Sequence, residues 1–175
     1  MDSKSGASPA GQDRSLTLRP VVPGDEAFLY QLYADSREEE LAMVDFTDAQ
    51  REAFLRMQFD AQRAHYEQHY PRAEHSIIVR DGVDAGRLWV ERNEKEIRCL
   101  DVALLKAHRG SGIGSYVIKG LIEEARQTSR PLHMSVEKNN PAAKRLYERL
   151  GLVVVSEIPT HYFMEYDPSG AAAKD

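Results

Sequence analysis

The segment Arg109-Gly110-Ser111-Gly112-Ile113-Gly114 constrains this chain more than any other. It stands where a β-rich run, Ile97 to Leu105, hands over to a stretch of helical period, Gly112 to Thr128. Three glycines within five residues carry a backbone entropy cost that a plain tight turn does not require. What they permit is close approach of bare backbone amides to an anion at a helix N-terminus, where the helix dipole also favours negative charge. The turn therefore reads as a phosphate cradle. A P-loop is excluded, because it needs Gly-Lys-Ser/Thr and here Gly114 is followed by Ser115-Tyr116. A dinucleotide site fits better at Gly110-x-Gly112, with Glu137 in the place of a ribose-binding acid. Against it, Arg109 precedes the turn, Ser115 replaces the third glycine, and an antiparallel pattern comes before it.

That pattern consists of three short β-rich runs, Ser76 to Arg80, Arg87 to Glu91 and Ile97 to Leu105, broken at Asp81-Gly82 and at Asn93 to Glu96. Upstream, Leu16 and Leu18 before Pro20 suggest a strand, and Pro23-Gly24-Asp25 opens an amphipathic helix carrying Phe28, Leu29, Leu32 and Tyr33. Thr47 and Gln50 form a capping box that starts a long helix, which Pro71 must end. Its buried face is expected to hold Phe54, Met57, Ala61 and Ala64. After the glycine turn, Val117, Leu121, Ile122 and Ala125 form one apolar stripe. A strand at Leu132 to Val136, a helix at Pro141 to Leu150 and strands at Val153 to Ile158 and Tyr162 to Tyr166 complete the order. The domain is expected over 15–167, with loose tails at 1–14 and 168–175.

Composition narrows the function classes. The 175 residues suit one core, and a formal charge of −5 argues against salt-driven binding of nucleic acid. No apolar run reaches the roughly 20 residues of a membrane span. A single cysteine, Cys99, forms no intrachain disulfide, and Met1-Asp2-Ser3-Lys4 lacks the apolar core of a secretory signal, so the expected compartment is the cytoplasm.

Arg109-x-x-Gly112-x-Gly114 resembles the Arg/Gln-x-x-Gly-x-Gly/Ala motif of the GCN5-related N-acetyltransferase (GNAT) superfamily. Asn140-Pro141-Ala142-Ala143-Lys144-Arg145-Leu146-Tyr147-Glu148-Arg149-Leu150-Gly151 is similar to that family's Asn-x-x-Ala-x-x-Leu-Tyr-x-x-x-Gly signature. The resemblance implies an α/β fold in one domain, with a mixed, mainly antiparallel twisted sheet and helices on both faces. It also implies acetyl transfer from acetyl-coenzyme A to a primary amine, on a small molecule or a protein, by direct attack and without a metal. The strand before the glycine turn then splays from its neighbour, and Val102, Ala103 and Leu104 meet the pantetheine arm. Backbone amides of Arg109, Gly110, Ser111, Gly112, Ile113, Gly114 and Ser115 take the pyrophosphate, and Asn140, with Ala143, lines the cofactor. Tyr147 becomes the general acid. Some members carry a glutamate base just before the valine of the strand preceding the Asn motif; here Ser135 precedes Val136. Leu152 stands where phenylalanine is common.

For a base, Asp101 and Glu96 lie on or before the strand that reaches the thioester. Their plain structural readings are an edge-strand salt bridge and a solvated turn charge. His65 and His69 are four residues apart, but Glu67 points to the other side of the helix and the zinc-protease pattern is missing. Phe46 to Tyr70 is rich in aromatics, and Glu38, Glu39, Glu40, Asp45 and Asp48 give it an acidic edge, which suits a cationic acceptor. The alternative to an enzyme is a non-catalytic acyl-coenzyme A sensor or interaction module. Neither oligomeric state nor the acceptor's identity is written in these motifs.

Overall fold

Strand periodicity before the glycine turn and helical periodicity after it resolve, in a computed structural model that describes residues 15–170, into strands and helices in the expected order. They are β1 (Leu16–Pro20), α1 (Glu26–Leu41), α2 (Asp48–His69), β2 (Glu74–Arg80), β3 (Val83–Arg92) and β4 (Ile97–Leu104). Then follow α3 (Ile113–Thr128), β5 (Leu132–Glu137), α4 (Pro141–Arg149), β6 (Val153–Glu157) and β7 (His161–Tyr166). One sheet orders them β1-β2-β3-β4-β5-β7-β6. All neighbours are antiparallel except β4 and β5, so the repeated parallel units of a dinucleotide fold are not built. The expected N-terminal tail, 1–14, lies outside the described residues, as do 171–175; before them Asp167 to Gly170 closes a turn.

Alternation along β2 sends neighbouring residues to opposite faces. Ile77 enters a cluster with Leu29, Tyr33, Leu55 and Phe59 of α1 and α2. Ile78 joins the larger core with Val117, Leu121, Ile122 and Ala125 of α3, the stripe expected from the sequence. Helices therefore cover both faces.

On α2 the capping box forms as expected: Gln50 N donates to Thr47 Oγ1 at 3.2 Å and Thr47 N to Gln50 Oε1 at 2.9 Å. Tyr70 leaves helical geometry just before Pro71. The buried face is another matter. Leu55 and Phe59 are buried, whereas Met57 is 60% exposed and Ala61 and Ala64 also face solvent. The inward stripe continues through Gln62 and Tyr66, whose polar atoms bond Arg87 and the Leu100 carbonyl of the sheet. A stripe with such polar members does not register as apolar in the sequence, which is why the expected face was rotated.

The feature that positions the site is a fork. β4 pairs with β5 only from Ile97↔Leu132 to Cys99↔Met134. Beyond it β4 stays with β3 as far as Leu104↔Gly86, and β5 stays with β7 as far as Glu137↔His161. The two strands thus part company while each keeps its outer partner. On the β3 arm, a Cβ on Gly86 would lie 2.2 Å from the Ala103 carbonyl oxygen, so only glycine lets the strands approach this closely.

Candidate active site

The arm of β4 runs into the glycine turn. Gly110 and Gly112 both adopt positive φ, 67° and 86°, conformations that favour glycine. Gly112 is the N-cap of α3; it supplies no capping side chain, and no acidic residue stands in the first helical turn. The amides of that end have no side-chain cap, and the helix dipole makes the end positive, a combination that suits an anion. The rest of the turn is tied down. Arg109 Nε donates to the Leu104 carbonyl at 3.0 Å, Ser111 Oγ to the His108 carbonyl at 2.6 Å, and Arg80 to the Ser111 carbonyl at 3.2 Å.

The second motif is largely helix punctuation. Asn140 Oδ1 accepts from Ala143 N at 3.1 Å and so caps α4, with Pro141 next to it. At the other end Gly151, at φ 98°, donates to the Glu148 carbonyl, and Leu152 N donates to the Tyr147 carbonyl at 3.0 Å. This is a Schellman closure, and the buried Leu152 anchors it in the core. The two motifs meet in space: a Cβ on Gly114 would touch Leu146 Cδ2 at 3.7 Å.

Tyr147 is fixed by that closure and buried in the α3 core with Cys99. Burial pushes its phenol pKa up, helped by Cys99 and by the charge of Asp101, so the hydroxyl keeps its proton. Asp101 lies on the splayed arm of β4, and its Oδ2 accepts from Arg87 Nε at 2.6 Å. Arg87 is 4% exposed and also donates to Gln62 at 2.7 Å, so its buried charge has an anionic partner in Asp101 and a neutral acceptor in Gln62. Sequence reasoning missed Arg87, although an arginine in the middle of Gly86-Arg87-Leu88-Trp89-Val90 is itself a signal that a buried charge has a partner.

Val102, Ala103 and Leu104 occupy the arm beyond the fork, as their assignment requires. Glu96 does not come to this place. It precedes the paired end of β4, held by Arg98 at 2.9 Å and by His133 at 2.5 Å, and His133 bridges on to Glu165. Although burial opposes it, Arg98 and His133 lower its pKa below the ordinary value, the wrong direction for a base at neutral pH. Ser135 is exposed on β5. Glu137, the residue weighed as a ribose ligand, pairs with Arg37 of α1 at 2.9 Å. His69 Nδ1 bonds the His65 carbonyl at 2.8 Å, and among the described residues no group of His, Cys, Asp and Glu is arranged to hold a metal. Along the acidic edge, Glu38 pairs with Lys106 and Glu40 with Arg37. No helix among the described residues is long and apolar enough to cross a membrane.

Comparison with solved structures matches the fold. PaiA N-acetyltransferase from Thermoplasma acidophilum, in complex with coenzyme A, is 14% identical with a TM-score of 0.66, over 87% of this chain and 99% of that one. An acetyltransferase from Thermus thermophilus is 20% identical with a TM-score of 0.64, over 87% and 97%. The protein yncA from Salmonella typhimurium, with its cofactor acetyl-CoA, is 21% identical with a TM-score of 0.56, over 92% and 98%. No curated protein matches the sequence. The model of the acetyltransferase (GNAT) family matches residues 26–152, which takes in the fork, the glycine turn and the Asn140 signature, and the chain belongs to that family.

Proposed function

We propose that the protein is an N-acetyltransferase that moves an acetyl group from acetyl-coenzyme A to a primary amine by direct attack, with Tyr147 as general acid. The observation that carries this reading is the fork, because β4 leaves β5 after Cys99↔Met134 and leads straight to an uncapped helix N-terminus. A strand freed from one neighbour offers backbone groups to an extended ligand arm, and the open amides of Ile113, Gly114 and Ser115 suit a pyrophosphate. Val102, Ala103 and Leu104 would lie along the arm. Asn140 would join them through its amide nitrogen, since its oxygen caps α4. Acetyl-coenzyme A supplies an acetyl thioester at this place.

Proton handling falls to side chains on the two faces of β4. Tyr147, on the α3 side, holds its proton at Oη and donates it to the departing sulfur; the burial that disfavours a phenolate also disfavours a free thiolate. Asp101 reaches the α2 side, where Arg87 occupies its Oδ2, and Oδ1 is the candidate acceptor for the amine proton. The buried, unpaired Cys99 suits a reducing compartment such as the cytoplasm. The test is thiol release from acetyl-coenzyme A across a panel of amines, with the acetylated product identified by mass. Amine-dependent release is expected. Tight coenzyme A binding without amine-dependent turnover would favour the non-catalytic sensor or interaction module instead.

A further inference from the structure

Arg87 holds Asp101 unequally. On a guanidinium, the edge formed by Nε and Nη2 can grip both oxygens of a carboxylate in parallel. Here that edge is divided between two partners. Nε donates to Asp101 Oδ2 at 2.6 Å, while Nη2 donates to Gln62 Oε1 of α2 at 2.7 Å. The arginine therefore hydrogen-bonds one oxygen of the carboxylate, and its second donor is taken up by a neutral amide 25 residues away in the chain. Stability alone gives little reason for this network. A buried ion pair gains little over well-packed apolar side chains, and Arg87 interrupts a strand whose neighbours Gly86, Leu88, Trp89 and Val90 are all buried.

We propose that Gln62 is a positioning residue for acetyl transfer: by holding Arg87 Nη2 it keeps the guanidinium from closing on both oxygens of Asp101, and so leaves Oδ1 to take the proton of the attacking amine. This rests on the reading above in which Asp101 is the base. In that step the amine nitrogen bonds the acetyl carbon, its proton passes to Oδ1, the C–S bond breaks and the sulfur takes the proton of Tyr147. A carboxylate bound at one oxygen keeps its orientation, whereas one bound at both must break a charge-assisted hydrogen bond before it accepts a proton there. The other titratable groups coupled to the charge of Asp101 are Tyr66 of α2, His75 of β2, Cys99 of its own strand and Tyr147 of α4. Burial raises the two phenols and the thiol and lowers the imidazole to about 4, so all four are uncharged at neutral pH. Arg87 is then the charged neighbour through which α2 acts on the carboxylate, and Gln62 sets how many bonds it makes.

Gln62→Leu removes the acceptor and lets Arg87 take both oxygens. Turnover should fall roughly tenfold, with KM for the amine and for acetyl-coenzyme A within about twofold. The acid limb of kcat/KM for the amine should move down by about one pH unit, because a second bond from the same cation favours the charged carboxylate. Gln62→Glu keeps an acceptor for Nη2 and adds a negative charge, so kcat should stay within about threefold and the limb should move up. The amine's own titration is common to all variants and cancels from the comparison. A purely structural role would change thermal stability and leave both limbs in place. Asp101→Asn separates the inference from the reading beneath it. If Asp101→Asn lowers turnover about 10²-fold or more while Gln62→Leu keeps the wild-type kcat and limb, or if both Gln62 variants move the limb in one direction, the inference alone is overturned. Wild-type turnover in Asp101→Asn, with the fold retained by circular dichroism, overturns the assignment of the base and the inference with it.

Discussion

The helices on the two faces of the sheet are held by different kinds of interaction. On one face α3 lies on the sheet through a continuous apolar stripe, and α4 is defined at both ends by backbone closures, the Asn140 cap and the Gly151 turn. Outside that stripe α3 also has side-chain ties to the sheet, Arg92 to Glu124 and Arg126 to Tyr166, each at 2.8 Å, while the amides at its N-terminus are left without a capping side chain. On the other face α1 and α2 share a smaller apolar cluster and reach the sheet through specific side-chain ties. Arg87 joins Asp101 to Gln62, Tyr66 holds the Leu100 carbonyl, and Arg37 joins Glu137. Apolar stripes and backbone closures tolerate many side chains, so the first face can keep one ligand chemistry while its sequence drifts. The second depends on particular partners and can be re-specified residue by residue.

The sharpest way to break this contrast is at Tyr147, the side chain by which the α3–α4 face would enter the chemistry. Tyr147→Phe removes one proton donor and leaves the ring in its core. Turnover should fall by about 10²- to 10⁴-fold, with acetyl-coenzyme A affinity little changed by titration calorimetry. Turnover within a few-fold of wild type would return Tyr147 to the core and move the chemistry to the other face.

Next comes Gly112→Asp. The side chain would meet open space, but the positive φ strains any residue other than glycine, and a carboxylate there opposes a phosphate at the helix end. Coenzyme A affinity should drop by roughly 10²-fold, about 2–3 kcal/mol, while circular dichroism shows the fold retained. Unchanged affinity in a folded variant would remove the pyrophosphate from this turn.

The same contrast explains what could be read from the sequence. Glycines at 110, 112 and 151, the asparagine cap and the α3 stripe are local requirements, so each appears as a residue type at a fixed spacing. The resemblance carried by those residues also implied the splayed strand, and the loss of pairing after Cys99 bears it out. The inward face of α2 was misplaced because Gln62 and Tyr66 are polar residues whose partners lie far along the chain. Nor does any local pattern announce that Glu96 is bound by His133, 37 residues away. Tyr147, Asp101 and the glycine turn are candidates that the sequence offers by motif and position, but what surrounds Asp101 is tertiary.

The α1–α2 face should also be the one that fails first in acid. Burial, with Arg87 nearby, lowers His75 to about 4, below the 6.5 expected when unfolded. Protons therefore bind the unfolded chain more tightly. This contribution to stability is complete above pH 6.5 and is lost as pH falls toward 4, about 2 kcal/mol for a half-buried ring. Arg19 holds Asp25 at about 2, so a second loss follows between about pH 4 and 2. Trp89, the chain's single tryptophan, stacks on His75 at 4.0 Å and reports denaturant unfolding there. In His75→Phe the loss between pH 6.5 and 4 should vanish; its survival would place the acid sensitivity elsewhere.

The smallest expected effect tests whether the α1–α2 face also selects the acceptor by charge. Glu38, Glu39 and Glu40 were expected to act together with Asp45 and Asp48 as an edge that draws in a cation. Lys106 and Arg37 now lie against Glu38 and Glu40, so the local field is weaker than the sequence suggests. Coulomb fields nevertheless add, and changing all three glutamates to glutamine still removes three negative charges from α1, a change felt over a Debye length of about 10 Å at 0.1 M salt. The Michaelis constant for a cationic amine should rise a few-fold at low ionic strength and converge on wild type as salt is added, because screening acts on approach rather than on contact. The constant for acetyl-coenzyme A should rise less or fall, since an anion feels the same change with the opposite sign. A salt-independent rise would mean that one of the glutamates touches the amine. No change at low salt, or a best acceptor that is anionic, would make this edge a solvated face and leave selection to the aromatics of α2.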